Sequence, residues 1–126
     1  MAAMPSYTAL AAGPVALLIA FLGIAISLVR LGGRASAPWF QRLQRAHGNA
    51  IEHVPLLLIL LYLAETMHAP NIVLLLGACG IIAARFLHAA GLLLVHRRPH
   101  PLQFAGAGLT YFLELGLGVS VLVRAV

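Results

Sequence analysis

Arg45, Asn49 and Glu52 put a cation, an amide and an anion into one apolar stretch of a chain that has few charges elsewhere. At about 100° per residue, the three fall within about 60° of each other on a helix. An ionised carboxylate near the centre of a membrane helix costs about 2.5–3.5 kcal/mol on insertion scales, so Glu52 is expected to face a partner, a cavity or a ligand. A second polar stripe follows, with Arg85 and His88 spaced i, i+3 and Leu92 and His96 continuing the face. Arg85 lies about 15 Å from Val95 at about 1.5 Å per residue, beyond the reach of snorkelling. A buried pairing of Arg85 with Glu52 is therefore expected, either as a structural ion pair or as one that also touches a ligand. The deep polar residues lack the Cys/His/carboxylate spacing of a zinc site, and no metal is expected.

Charge suggests the ligand class. Arginine offers a bidentate fork to carboxylates, Asn an amide, and Glu a seat for an ammonium. A small zwitterion with an excess of carboxylates suits this set, and the apolar remainder of the helices would hold a hydrophobic second reactant. The alternative use of the same residues is an internal ion pair that only fixes helix packing.

The elements that must position these groups follow from composition. The chain has 126 residues, 62% hydrophobic and 9% charged, against about a quarter charged in soluble domains. Four runs reach the roughly 20 apolar residues of a membrane span: Tyr7 to Leu31, Gln44 to Met67, Ile72 to Val95 and Leu102 to Val126. The expected architecture is all-α, a single four-helix membrane domain over residues 1–126. The first run has no basic residue before Arg30 and is longer than a signal h-region, so a cleavable signal peptide is not expected. Lysine is absent and the net charge of +5 comes from arginine at the borders of the spans, which points to orientation and ligand anchoring and not to nucleic acid. Cys79, the lone cysteine, excludes an intrachain disulfide and reads as a small packing residue.

Arg34 and Arg42 lie in the connection from Gly32 to Leu43, flanked by Arg30 and Arg45, and Arg97 and Arg98 lie in the turn from His96 to Pro101. The turn after the second span has no Arg. The positive-inside rule then puts the first and third loops in the cytoplasm and both termini outside. Trp39 and Phe40 are expected interfacial anchors. Small-residue ladders at Ala12, Ala16 and Ala20, at Gly80 and Ala84 with His88, and at Gly116 and Ser120 mark expected close approaches. Pro14 and Pro55 fall inside their helices, each removing a backbone hydrogen bond.

The segment RAHGNAIEHVP, residues 45–55, together with Arg85-Phe86-Leu87-His88, resembles the MAPEG family, membrane-associated proteins of eicosanoid and glutathione metabolism, and in particular its small bacterial members. The resemblance covers essentially the whole chain. It implies a homotrimer in a bacterial inner membrane, binding glutathione between adjacent subunits near the cytoplasmic side. By position it implies glutathione contacts from Arg45, Asn49, Glu52, His53, Arg85 and His88. Relatives often carry Tyr where this chain has His53 and Leu92, and an Arg where it has Gln103. Thiolate stabilisation, the catalytic role, would then fall to Arg97 or Arg98. The implied activity is that of a glutathione transferase or peroxidase acting on lipophilic electrophiles, with glutathione as co-substrate. A non-enzymatic glutathione- or lipid-binding member of the family is the first rival. A small multidrug exporter is the second, although such exporters use a carboxylate in the first helix, which here has none.

Overall fold

Leucine, alanine, isoleucine and valine dominate the four runs, and each run is one helix in the computed structural model, which describes residues 5–94 and 100–126. The helices are α1 (Ser6–Leu31), α2 (Pro38–Thr66), α3 (Asn71–Leu93) and α4 (Pro101–Ala125). Pro14 and Pro55 lie inside continuous helices. All four helices are long and apolar enough to cross a membrane. Phe21, Ile24, Phe112 and Leu122 are each more than half exposed. A helix in water presents polar residues on its outer face, whereas apolar outer faces belong in lipid. The protein is an integral, multi-pass membrane protein, built as an all-α four-helix bundle.

Proline starts the second and the fourth helices. Pro38 and Pro101 stand in the first turns of α2 and α4, where the missing N–H would have had no helical partner. The second helix therefore begins at Pro38, ahead of the apolar run that starts at Gln44. Phe40, Leu43 and Ala46 give the added turns a buried face, packed with Leu22 and Ile26 of α1 and Ala89 and Leu92 of α3. Phe40 is thus a core residue, with the Arg30 guanidinium 6.0 Å from its ring centroid. Of the two expected anchors, only Trp39 is exposed. With 29 residues, α2 is about 43 Å long at 1.5 Å per residue and outruns a hydrocarbon core of about 30 Å.

The second core lies deeper, where Ala11 and Val15 of α1 meet Val54, Leu57 and Leu61 of α2 and Ala78 and Ile81 of α3. The closest seam is between α3 and α4. A β-carbon on Gly91 would collide with the backbone of Gln103, and one on Gly106 with the backbone of His88 and Ala84. The ladder through Gly80, Ala84 and His88 does mark a helix contact. The ladder on α1 does not within this chain: its buried stripe is Ala11, Val15, Leu22 and Ile26, and Ala16 and Ala20 face outward. Gly116 is exposed as well, and Cys79 is an exposed cysteine instead of a packing residue.

The start of α1 is capped from a distance. Pro5 offers no side-chain acceptor. The Glu65 carboxylate, near the end of α2, accepts Tyr7 N–H at 2.9 Å, Thr8 N–H at 2.8 Å and the Thr8 hydroxyl at 2.7 Å. Free N–H groups and the positive end of the helix dipole both favour an anion there.

Candidate functional site

The inward face of α2 is Ala46, Ala50, Val54, Leu57 and Leu61, and the polar residues take the faces beside it. Glu52 comes about 200° after Ala50 at 100° per residue, so it is exposed and not buried. It still lies about 21 Å from Thr66 along the helix, inside a core of about 30 Å. Glu52 and Arg85 form no ion pair. The expected pairing fails because Asn49, nearly a full turn earlier, faces α3 in its place.

Arg85 is 2% exposed and is held by neutral acceptors. Its guanidinium donates to Asn49 Oδ1 at 2.7 Å, to the Asn49 carbonyl at 3.4 Å and to the Thr110 hydroxyl. That hydroxyl donates onward to the Gly106 carbonyl at 2.8 Å, leaving its lone pairs for Arg85. Arg85 Nε is buried without a partner among the described residues. The anion that acts on Arg85 through space is Glu114 of α4, which itself receives His53 Nδ1 at 2.7 Å. Asn49 and His53 on α2, and Thr110 and Glu114 on α4, are each one turn apart. The three helices are thus joined by two polar rungs, Asn49–Arg85–Thr110 and His53–Glu114.

Above these rungs a cleft of about 330 Å³ is lined by Arg45, Gly48, Asn49, Glu52, His88, Leu92 and Gln103. Its size is at the lower end of the roughly 300–1,000 Å³ typical of small-molecule pockets. Arg45 and Glu52 are exposed and bring opposite charges to it. His88, 7% exposed, places Nδ1 at 3.3 Å from the Gln103 backbone carbonyl. A carbonyl only accepts, so the neutral ring carries its hydrogen on Nδ1 and keeps Nε2 as an acceptor. The Gln103 Oε1 atom is buried and has no donor among the described residues. An orphaned acceptor in a lined cleft calls for a donor beyond the described residues.

Of the residues singled out from sequence, Arg45, Asn49, Glu52 and His88 share this cleft. Arg85 stands behind it and reaches it through Asn49. His53 is turned toward α4. Arg97 and Arg98 lie outside the described residues. Gln103 and Leu92, where the chain departs from the pattern of its relatives, both line the cleft. Thr110, Tyr111 and Glu114 escaped the sequence reading. Their signal was present: Gly106, Thr110 and Glu114 recur at i, i+4, and Glu114 interrupts an apolar run much as Glu52 does.

Comparison with curated proteins and with solved structures gave no match. The model of the MAPEG family matches residues 8–123, nearly the whole chain. With the four membrane helices and the polar cleft at the α2–α3–α4 junction, that match makes the chain a member of the MAPEG family.

Proposed function

We propose that the cleft binds glutathione and that the protein conjugates it to, or uses it to reduce, lipophilic electrophiles. The observation carrying this reading is the pairing of exposed Arg45 and Glu52 in one cleft with the orphaned Gln103 acceptor. Arg45 suits a carboxylate, Glu52 an ammonium, and Gln103 Oε1 a peptide N–H or a thiol. Glutathione carries all of these groups and supplies, when bound, the sulfur nucleophile. Asn49, fixed by Arg85, would orient it, and His88 offers Nε2 as a further acceptor. His53 and Arg85 support the site from behind the cleft. Arg97 and Arg98, which precede α4 in the sequence, are the candidate cations for lowering the thiol pKa from about 8.5.

A homotrimer completes the reading. The Glu52 carboxylate, exposed at membrane depth, is costly against lipid, and the outward Ala16 and Ala20 ladder suits close contact with a second copy. Both imply that a neighbouring subunit covers the cleft. The arginines of residues 30–45 and 97–98 support a cytoplasmic cleft mouth with both termini outside, and the lipophilic substrate would arrive through the bilayer. A non-enzymatic glutathione-binding role is the second reading, favoured by the uncharged Gln103 at the cleft.

The test is conjugation of an aromatic chloro-dinitro electrophile by purified detergent-solubilised protein, with thermal shift by glutathione alongside. Parent protein should be stabilised by glutathione, and Glu52→Gln should lose at least about tenfold in affinity, roughly 1.4 kcal/mol. Equal ligand shifts in both would reject the cleft as the site. Binding without conjugation would select the non-enzymatic reading.

A further inference from the structure

His88 and Gln103 meet at the α3–α4 seam, and both line the cleft. Gly91, three residues after His88, has no room for a β-carbon against the Gln103 backbone. Gly106, three residues after Gln103, has none against the backbone of His88. These reciprocal contacts fix the two cleft residues relative to each other. The Gln103 carbonyl accepts from His88 Nδ1 at 3.3 Å, so the neutral ring has its lone pair on Nε2. Nε2 has no hydrogen-bond partner among the described residues. The unpaired side-chain atoms enclosed among those residues are Arg85 Nε and Gln103 Oε1. Nε2 is not one of them, so it opens on the cleft that its ring lines.

The charges around His88 come in opposed pairs. On α2, Arg45 and Glu52 stand in the cleft with it. Arg85, nearly one turn earlier on α3, is set against Glu114 of α4. His53 of α2 is engaged by Glu114, and Tyr111 lies beside His53. At the start of α4, His100 uses its ring nitrogen to accept Leu102 N–H. On α1, Tyr7 and Arg30 lie near the two ends of the helix. A thiolate formed in the cleft adds a negative charge that this set does not balance, in a medium of low dielectric. A proton kept on the neighbouring imidazole balances it.

We propose that His88, held by the Gln103 carbonyl, is the base that takes the proton of a thiol bound in the cleft. The S–H bond breaks, its electron pair stays on sulfur, and an N–H bond forms at Nε2. The imidazolium remains beside the thiolate as its counter-charge, and the total charge of the site is unchanged. The assignment rests on the glutathione reading above and on the thiol lying at Gln103.

Glutathione titrated into the full-length protein in weak buffer tests it, with ultraviolet thiolate absorbance and an indicator dye followed together. The parent should form thiolate while releasing less than about one-third of a proton per thiolate. Nitrogen-15 spectra should show His88, assigned through its own backbone, becoming doubly protonated on binding. S-methylglutathione, which has no thiol proton, should bind and leave His88 neutral. His88→Asn keeps an N–H for the Gln103 carbonyl but removes the base. It should bind glutathione and either release a full proton per thiolate or form at least about tenfold less thiolate. The parent's spectra with the two ligands decide the matter even should His88→Asn not fold. A full proton released by the parent, or a His88 that stays neutral while thiolate forms, overturns the assignment. So does bound glutathione without thiolate, which leaves the binding reading intact. Absence of glutathione binding overturns that reading as well.

Discussion

Thr110→Val removes one oxygen from a fully enclosed position and keeps the side-chain shape, so its cost reports almost purely on the guanidinium it serves. Thr110 is 1% exposed and Arg85 2%, which leaves the stranded N–H no route to water. Interhelical hydrogen bonds between neutral groups in membranes average about 0.6 kcal/mol. A hydrogen bond to a charged group is worth about 1.5–3 kcal/mol, and the upper figure applies when the charge is left unsatisfied. Arg85 already carries an orphan at Nε, so a second orphan should place the cost in that charged range. In an Arg85→Met background the same change should cost less than about 0.5 kcal/mol, because both partners are then apolar. The expected coupling in the double-mutant cycle is about 1–2.5 kcal/mol. Reversible unfolding of the detergent-solubilised protein by circular dichroism would measure all four corners. Additive costs, with coupling below about 0.5 kcal/mol, would refute the claim that Thr110 and Asn49 keep the cation in the bundle.

Gly106→Ala should destabilise by several kcal/mol, at the upper end of overpacking costs of about 1–3 kcal/mol or beyond, since its β-carbon meets backbone rather than a movable side chain; a thermal midpoint close to the parent's would contradict the α3–α4 seam. Glu65→Gln should cost about 1–2 kcal/mol as a lost charged cap, speed hydrogen exchange at Tyr7 and Thr8, and leave ligand affinity unchanged; slow exchange in the variant would show that the cap is dispensable. Gln103→Arg brings a cation to the cleft and should lower the pKa of a bound thiol by about one unit or more, read as thiolate absorbance against pH. An unchanged titration would remove Gln103 from the neighbourhood of the sulfur.

The number, order and membrane character of the helices were legible from apolar run length alone, because lipid imposes one requirement on every turn. Helix ends were less so. The start of α2 at Pro38 depends on Phe40 and Leu43 finding Leu22 and Leu92, and no local pattern reports a tertiary partner. The cleft residues Arg45, Asn49, Glu52 and His88 were legible because i, i+3 and i, i+4 spacing survives folding. The partner of Arg85 was not. Periodicity says which residues share a face but not how far the helix is rotated, and a rotation of about 60° separates Asn49 as partner from Glu52. Glu114 was not legible because its partner, His53, lies on another helix, and a single acid in an apolar run reports no neighbour.

The carboxylate of Glu65 ties the beginning of one membrane crossing to the end of the next. A growing chain delivers α1 first, and Pro5 offers no side-chain acceptor to its leading N–H groups. The acceptor is made only after α2 has been synthesised and has returned across the bilayer to the same side. The first two crossings are therefore completed as a hairpin: α1 is held at its depth by a residue translated dozens of codons later, and a chain interrupted before Glu65 would leave the first helix free to slide along the membrane normal.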